Sequence, residues 1–222
     1  LMAKNALKRE IPVFIEGARG SGKKAAASEL HSLLFCKQPF VEIKCNLLTA
    51  GNYEETLFGE AGKLAYFQPS LSGFSASLLD KARKGSLFLN GIEALPIVAQ
   101  KALTQVLEER QEAQINHDQT EISAVFASSR LSFTELNTSE KLDPVFLEAL
   151  QGSQVVVPHL SQRLDFRFLA TELLCQVSPS HKFSKSGLDA LQKCDWPGHI
   201  RQLKKAIQML LANAEGPIIR AE

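Results

Sequence analysis

Residues 12–24 form the segment PVFIEGARGSGKK, which carries the strongest structural signal in the chain. Its apolar start, residues 12–15, has the length and β-branching of a buried strand. This run stops at Gly17, and from Lys23 to Phe35 small and apolar residues alternate at helical spacing. The segment therefore predicts a strand, a glycine-rich loop and a helix in succession.

The loop fits the phosphate-binding pattern G-x-x-x-x-G-K, with Gly17, Gly22 and Lys23 at the defining positions. Glycines let backbone N–H groups converge on a phosphate, and the following helix adds partial positive charge. A glycine-rich turn beside a solvated lysine is the alternative, which the flanking strand and helix disfavour. The eighth position is Lys24, where a hydroxyl normally ligates magnesium, so magnesium use is left open. The nucleotide-binding residues predicted here are Gly17, Gly20, Ser21, Gly22, Lys23 and Lys24.

The alternation of strand and helix continues along the chain. Strand-like runs occur at residues 40–43, 86–89 and 124–127, and a helix is predicted over 95–110. Such alternation predicts a parallel sheet in an α/β domain. From about residue 161 the strand signals stop, and helices are predicted over 163–176, 184–193 and 200–212. We therefore expect an α/β nucleotide-binding domain over residues 1–160 and a small all-helical domain over residues 161–222.

The composition is that of an ordinary globular protein. The chain has 222 residues, 45% of them apolar, and a net charge of +1, which argues against disorder and a strongly basic nucleic-acid-binding surface. No apolar run of about eighteen residues is present, so we expect a cytoplasmic protein without a membrane span. Its four widely spaced cysteines predict reduced thiols and no metal site.

Nearly the whole chain resembles the central AAA+ domain of bacterial sigma-54-dependent enhancer-binding regulators. Residues 17–24, GARGSGKK, are similar to the family's GESGTGKE, and residues 85–96, GSLFLNGIEALP, to its GTLFLDEIGELP. Residues 57–59, LFG, and 196–203, WPGHIRQL, are similar to its LFG and WPGNVREL. The resemblance implies a P-loop NTPase-type parallel sheet flanked by helices, a helical lid, and ATP or another nucleotide as ligand.

The resemblance also implies catalytic groups that this chain lacks. The family's Asp-Glu pair, which holds the magnesium-bound water and activates the attacking water, corresponds to Asn90 and Gly91. Its switch asparagine corresponds to Lys44 and its first sensor to Ser129. Glu93 lies two residues beyond the altered pair, and we expect its side chain to point elsewhere. General-base assistance worth about 10²–10⁴-fold in rate should therefore be missing.

Two further family features are altered and one is retained. The arginine fingers correspond to Asp143 and Ala149, and the loop that contacts sigma-54 corresponds to residues 63–68, which share almost nothing with it. Arg201 retains the second sensor, next to the turn at Trp196. We therefore assign no catalytic residue and no metal ligand, and we add Asn90 and Arg201 to the nucleotide-binding residues.

These observations favour a regulatory module that binds ATP or a related nucleotide with little or no hydrolysis. One alternative is an active ATPase that remodels sigma-54 RNA polymerase, using Glu93 or a partner's residue. Another is a nucleotide-independent interaction scaffold, and a cyclic dinucleotide is a further choice of ligand. The resemblance implies RNA polymerase or a sigma factor as partner and DNA binding through a C-terminal domain beyond Glu222. Self-association is left open.

Overall fold

The computed structural model describes residues 2–60, 62–63, 77–83, 85–115, 122–214 and 216–220. It divides into two compact units. The first unit comprises Leu1–Glu16 and Lys23–Val156, and the second comprises Gly17–Gly22 and Val157–Glu222. Among the helices of the described residues, none combines the length and apolar character needed to cross a membrane.

The first unit is built on a five-stranded sheet with the order β2-β3-β4-β1-β5. Its strands are β1 (Val13–Glu16), β2 (Phe40–Lys44), β3 (Gly85–Asn90), β4 (Ile122–Ser129) and β5 (Ser153–Val156). Neighbouring strands pair in parallel, so their carboxyl ends meet at one edge. The register places Asn90 opposite Ser128 and Glu16 opposite Ser129. The predicted parallel α/β sheet is thereby confirmed.

Seven helices accompany this sheet in the described part of the first unit. They are α1 (Met2–Lys8), α2 (Lys23–Phe35), α3 (Tyr53–Phe58), α4 (Leu78–Ala82), α5 (Ile97–Ile115), α6 (Phe133–Thr138) and α7 (Pro144–Ala149). Short 3₁₀ turns at Cys45–Leu47 and Ile92–Ala94 follow β2 and β3. The short helices start with strong caps, since Ser77 and Ser132 each form a capping box and Asp143 caps a helix with proline at its first position.

Both faces of the sheet are covered, as expected for parallel strands. Leu87 and Leu89 of β3 belong to the main core cluster, whereas Phe88 between them stacks on Phe40. His31 of α2 lies beside Phe40 and bonds the Ser86 hydroxyl at 2.8 Å and the Gln38 carbonyl at 3.1 Å. The His31 imidazole is buried and therefore belongs to the packing between α2 and the sheet.

Arg110 ties α5 to the amino end of β4. Its guanidinium donates to the carbonyl oxygens of Ile122 and Glu10, both at 2.7 Å, and of Ser123 at 3.1 Å. Burial lowers the pKa of Arg110 to about 10, an effect that the negative charge of Glu10 opposes. This buried cation therefore lies at the amino ends of the strands, opposite the edge where β1, β3 and β4 end.

The second unit is mainly helical. Its elements are a 3₁₀ turn (Leu160–Gln162), α8 (Phe166–Val177), β6 (Lys182–Phe183), α9 (Lys185–Lys193), α10 (His199–Ala212) and β7 (Ile218–Ile219). Its core packs apolar residues of α8 and α10 around the buried Trp196. The three predicted helices are present, but the expectation that strands end at residue 161 is wrong, because β6 and β7 pair in parallel. Two-residue strands carry too little periodicity to be recognised in a sequence.

Candidate functional site

The glycine loop has a backbone that side chains would obstruct. Gly20 and Gly22 have φ angles of 89° and 106°, a region that residues with a Cβ rarely adopt. A Cβ on Gly20 would lie 2.7 Å from the carbonyl oxygen of Gly198, and one on Gly22 would lie 3.1 Å from Cδ1 of Ile200. The loop therefore requires glycine at both positions to take this shape.

Ser21 supplies a polar group inside the loop. Its hydroxyl is buried and has no hydrogen-bond partner among the described residues. A Cβ on Gly17 would lie 2.9 Å from this hydroxyl. Leaving a buried hydroxyl unpaired costs about 1–3 kcal/mol, so such a group is normally matched by a ligand or water. The loop thus fits a bound phosphate, which would accept a hydrogen bond from Ser21.

The start of α10 contacts this loop. The N–H of Ile200 donates to the Gly20 carbonyl oxygen at 3.1 Å, and Cβ of Arg201 lies 3.5 Å from the Cβ position of Gly20. The turn before the helix is held by Trp196, whose Nε1 donates to the Leu191 carbonyl at 2.9 Å. Within the second unit, the predicted second sensor, Arg201, therefore lies beside Gly20 of the glycine loop.

A hydrogen-bonded network joins the first turn of α2 to the middle of β2 and to the carboxyl ends of β3 and β4. Nζ of Lys24 lies 2.5 Å from Oε2 of Glu42, and Nδ2 of Asn90 donates to Oε1 of the same carboxylate at 2.7 Å. The Ser128 hydroxyl in turn donates to Oδ1 of Asn90 at 3.2 Å. Burial opposes the charge on Glu42, but the bonds from Lys24 and Asn90 outweigh it and lower the pKa of this carboxyl.

A second charged group follows β3 and β4. Nε of Arg130 donates to Oε1 of Glu93 at 3.0 Å, and only 9% of the Glu93 side chain is exposed. Burial lowers the pKa of Lys23, an effect that the nearby Glu93 carboxylate opposes and Arg130 reinforces. The expectation that Glu93 points elsewhere is therefore wrong: a 3₁₀ turn follows β3 directly, and the Glu93 carboxylate acts electrostatically on Lys23 of the phosphate-loop motif.

Gly91 begins this 3₁₀ turn in the left-handed conformation, with φ 80° and ψ 58°. Its N–H donates to the Ser128 carbonyl oxygen at 2.9 Å, and a Cβ here would meet no atom within 4 Å. The position is therefore disfavoured for a side chain by backbone conformation alone and not by lack of space.

Magnesium does not fit the network formed by Lys24, Glu42 and Asn90. Mg²⁺ is held in nucleotide sites by one or two carboxylates together with phosphate oxygens. Asn90 and Gly91 carry no carboxylate, and both oxygens of Glu42 are engaged by Lys24 and Asn90. Across the described ranges no group of three or more His, Cys, Asp or Glu side chains is arranged to hold a metal.

The positions that correspond to the arginine fingers and the first sensor make contacts within the fold. The Asp143 carboxylate caps α7 by accepting from the Val145 N–H, and Ala149 is buried. The Ser129 hydroxyl accepts from the Leu131 N–H at 3.0 Å. Cys45 is buried, as expected of a small apolar residue, and burial raises the pKa of its thiol. Of the loop at residues 63–68, positions 64–68 lie outside the described residues.

The sequence interpretation missed Glu42 and Arg130. Glu42 lies in the middle of a strand whose neighbours Val41 and Ile43 are apolar, so it looked like an ordinary outward-facing residue. Arg130 directly follows the first-sensor position after β4, where the edge of a parallel sheet gathers polar groups. That position was the available signal for Arg130.

Two family models match the chain. The model described as the sigma-54 interaction domain matches residues 1–140, and the model described as the AAA+ ATPase lid domain matches residues 161–222. Among curated proteins, the regulatory protein AtoC of Escherichia coli K12 is 28% identical over 220 residues. The transcriptional regulatory protein GlrR of the same strain is also 28% identical over 220 residues.

The alignments cover 95% of this chain but 47% of AtoC and 49% of GlrR, so the chain spans about half the length of these relatives. Among solved structures, NtrX from Brucella abortus in complex with ATP superposes with a TM-score of 0.75 at 21% identity. That match covers 97% of this chain and 50% of NtrX. Domain III of the replication initiation protein DnaA from Thermotoga maritima superposes with a TM-score of 0.59 at 15% identity, over 95% of this chain and 80% of that domain's chain. These likenesses confirm the AAA+ P-loop fold.

Proposed function

Because the chain belongs to the sigma-54 interaction domain family, the AAA+ module of bacterial transcription regulators, we propose that it binds ATP or a related nucleotide as a regulatory ligand with little or no hydrolysis. In this proposal the nucleotide-binding residues are those of the glycine loop together with Lys23, Lys24, Asn90 and Arg201. The α/β nucleotide-binding domain spans residues 1–160 and the lid spans residues 161–222.

Nucleotide binding is supported by the glycine loop. Gly20 and Gly22 hold a conformation that would be strained with a side chain, and Ser21 offers a buried hydroxyl without a protein partner. The following residue, Lys23, begins α2, where the helix amino end adds partial positive charge. The fold neighbour NtrX from Brucella abortus was solved with ATP and also with ADP.

The observation that carries the loss of hydrolysis is the end of β3, where Asn90 and Gly91 stand in place of two carboxylates. Asn90 donates its amide to Glu42 and accepts from Ser128, so it offers no base to a water. Gly91 has no side chain to orient or deprotonate one. Without general-base assistance the rate falls by about 10²–10⁴-fold, and the absent arginine fingers remove about 10³–10⁵ more.

The active-ATPase alternative depends on Glu93, the carboxylate that interacts electrostatically with Lys23. Arg130 engages this carboxylate, and although burial alone would raise its pKa, bonds from its own backbone amide and from Arg130 lower it instead. Arg130 bonds only Oε1, and Oε2 of Glu93 has no hydrogen-bond partner among the described residues, so the lowered pKa alone makes this carboxylate a weak base toward an attacking water. Glu93 is therefore better suited to balancing the charges of Lys23 and Arg130 than to catalysing hydrolysis.

We also propose the partners that the family implies. RNA polymerase or its sigma factor would contact the AAA+ module, and DNA would be bound by a domain outside this chain. Self-association belongs to the same proposal. These partners stay a proposal for the whole protein, since the relatives extend well beyond the matched half.

Calorimetric titration with ATP, paired with a phosphate-release assay on the same sample, tests the proposal. Lys23→Ala should abolish binding, because it removes the cation that contacts the terminal phosphates. Lys37→Ala is the matched control, since Lys37 is an exposed lysine just beyond α2. The Lys37→Ala protein should bind ATP with the affinity of the wild type.

Binding that Lys23→Ala removes, without multiple turnover, is the expected result. Turnover at the level of an active enhancer-binding ATPase assayed in parallel would contradict the proposal and favour the enzyme alternative. An absence of ATP binding would favour the scaffold alternative, unless a cyclic dinucleotide titrated in the same way bound through Lys23.

A further inference from the structure

Lys24 and Glu42 form an ion pair where the fold ordinarily handles a metal. Lys24 is the eighth residue of the phosphate-loop motif, the position of the magnesium-binding hydroxyl in most P-loop proteins. Its ammonium lies 2.5 Å from Glu42, which is hydrogen-bonded to Asn90 at the end of β3. The ammonium is thus joined, through one carboxylate, to the residue that replaces the usual metal-linked aspartate.

The exposure of the two partners differs in an informative way. Only 13% of the Glu42 side chain is exposed, whereas 59% of the Lys24 side chain is. Glu42 is therefore held in place by the sheet edge, and Lys24 leans on it from the solvent side. An ammonium has three N–H donors, and Glu42 accepts one of them, so the group can also donate to phosphate oxygens.

The two lysines of the motif interact with different charged groups. Lys24 pairs with Glu42 of β2, while Lys23 interacts electrostatically with Glu93 and with Arg130, which follows β4. Consecutive residues in a helix are rotated by about 100°, which explains how the first turn of α2 directs its two cations differently. A polyphosphate bound at this helix start would meet positive charge from both.

We propose that the Lys24 ammonium replaces the divalent cation, so that this domain binds nucleoside triphosphate in its metal-free form. The inference depends on the nucleotide binding proposed above and names the form of the ligand. The Glu42 carboxylate acts as a positioning group that restrains Lys24, and Asn90 completes this arrangement by donating to the same carboxylate. A magnesium ion beside Asn90 would have to displace Lys24 to reach the Glu42 carboxylate.

The test is calorimetric titration with ATP in EDTA and again in excess magnesium, on the wild type and three variants. The wild type should bind at least as tightly in EDTA as with magnesium. Lys24→Thr should lose about tenfold or more of its affinity in EDTA, because a charge-assisted hydrogen bond to phosphate is removed and Glu42 is left uncompensated. Magnesium should recover affinity in this variant, since the freed carboxylate and the new hydroxyl are both suitable ligands.

Two further variants separate charge from fold. Lys24→Arg keeps the cation and should retain binding in EDTA, whereas Lys37→Thr, the matched loss of an exposed lysine, should change nothing. Thermal unfolding of each variant verifies that it is folded before titration. Lys24→Thr should still unfold in one cooperative transition, because Asn90 continues to donate to the Glu42 carboxylate.

Each outcome bears on a different claim. If the wild type binds ATP only with magnesium, this inference is wrong while the proposed nucleotide binding stands. If it binds in EDTA but Lys24→Thr binds equally well, metal-free binding exists without Lys24 and the assignment of this residue is wrong. If no ATP binds under either condition, the proposed function itself fails, and this inference fails with it.

Discussion

Nε of Arg130 donates a 3.0 Å hydrogen bond to Oε1 of Glu93, which joins the residue after β4 to the turn after β3. The carboxylate is nearly buried while 60% of the arginine side chain is exposed. Both charges also act on Lys23, Glu93 attractively and Arg130 repulsively. Glu93 is therefore an internal anion beside the cations that a nucleotide phosphate would use.

Glu93→Gln should change stability and ATP affinity in opposite directions. Removing the negative charge beside Lys23 should tighten ATP binding by about fivefold. The reason is that the carboxylate no longer competes with phosphate for Lys23 and Arg130. The free energy of unfolding should fall by about 1–2 kcal/mol, since a hydrogen bond to a charged group is weakened. Calorimetry and denaturant unfolding measure the two effects.

Asp165→Asn is the matched control for this change. It neutralises the carboxylate of the exposed Arg163–Asp165 pair in the second unit. That pair should contribute no more than about 1 kcal/mol to stability, as exposed pairs generally do. A loss of ATP affinity in Glu93→Gln would show that the carboxylate assists binding and would overturn its assignment as a competing anion.

Stability should depend on acid pH through Glu93. Its ordinary pKa of 4.5 is lowered in the folded protein, because bonds from its backbone amide and Arg130 outweigh the effect of burial, which alone would raise it. A carboxyl with a depressed folded-state pKa stabilises fully above its unfolded pKa and loses that contribution as pH falls through the folded value. The wild-type advantage over Glu93→Gln should thus be constant above about pH 5 and shrink below 4.5.

Denaturant unfolding of both proteins between pH 7 and pH 3 measures this difference. The comparison cancels the contributions of all other carboxyls, which the two proteins share. A difference that grows toward low pH would mean that Glu93 is protonated more readily in the folded state than in the unfolded chain, contrary to its hydrogen bonding.

Restoring the family's carboxylates, Asn90→Asp with Gly91→Glu, should not restore hydrolysis. Position 91 has the left-handed conformation, which costs a residue with a Cβ roughly 1–2 kcal/mol. An aspartate at position 90 would place its charge against Glu42, whose Oε1 now accepts from the asparagine amide. The free energy of unfolding of the double variant should be about 2–3 kcal/mol lower than that of the wild type. Its rate of phosphate release should be no higher.

Glu42→Gln combined with this double variant is the informative control for the repulsion. Relief of the like-charge contact should regain part of the lost stability, while the left-handed strain at position 91 remains. Rapid multiple turnover by the Asn90→Asp, Gly91→Glu protein would contradict the prediction, because it would mean that the backbone after β3 readily adopts the active arrangement.

Gly20→Ala should destabilise the second unit and weaken ATP binding. The new Cβ would lie 2.7 Å from the Gly198 carbonyl oxygen, at a φ of 89°. Strain of this kind costs about 1–3 kcal/mol, and the hydrogen bond between Ile200 and Gly20 would also be disturbed. Thermal unfolding and ATP titration measure the effects.

Gly216→Ala serves as the comparison within the same unit. A Cβ at Gly216 meets nothing within 4 Å, so this variant should keep the wild-type stability and affinity. Equal behaviour of the two variants would mean that the loop backbone relaxes freely and that its shape does not depend on glycine.

Much of the fold could be predicted from local pattern. Helix α2 was predicted with the bounds it has, Lys23–Phe35, because the glycine loop fixes its start and its small and apolar residues recur at helical spacing. Strand β5 and the helices α3, α6 and α7 were not predicted. These elements are four to six residues long, and segments of that length show too few periods for a pattern to emerge.

The sequence by itself determined the phosphate loop and the missing carboxylates at positions 90 and 91, because these are facts about residue identity within a continuous motif. Only the tertiary structure decided how the remaining charges are shared. Lys24 and Glu42 are 18 residues apart and Glu93 and Arg130 are 37 apart, yet each pair meets at the edge where parallel strands end. Which side chains meet there depends on the order of the strands in the sheet and on the turns that follow each strand. Neither of these features can be predicted from a local sequence pattern.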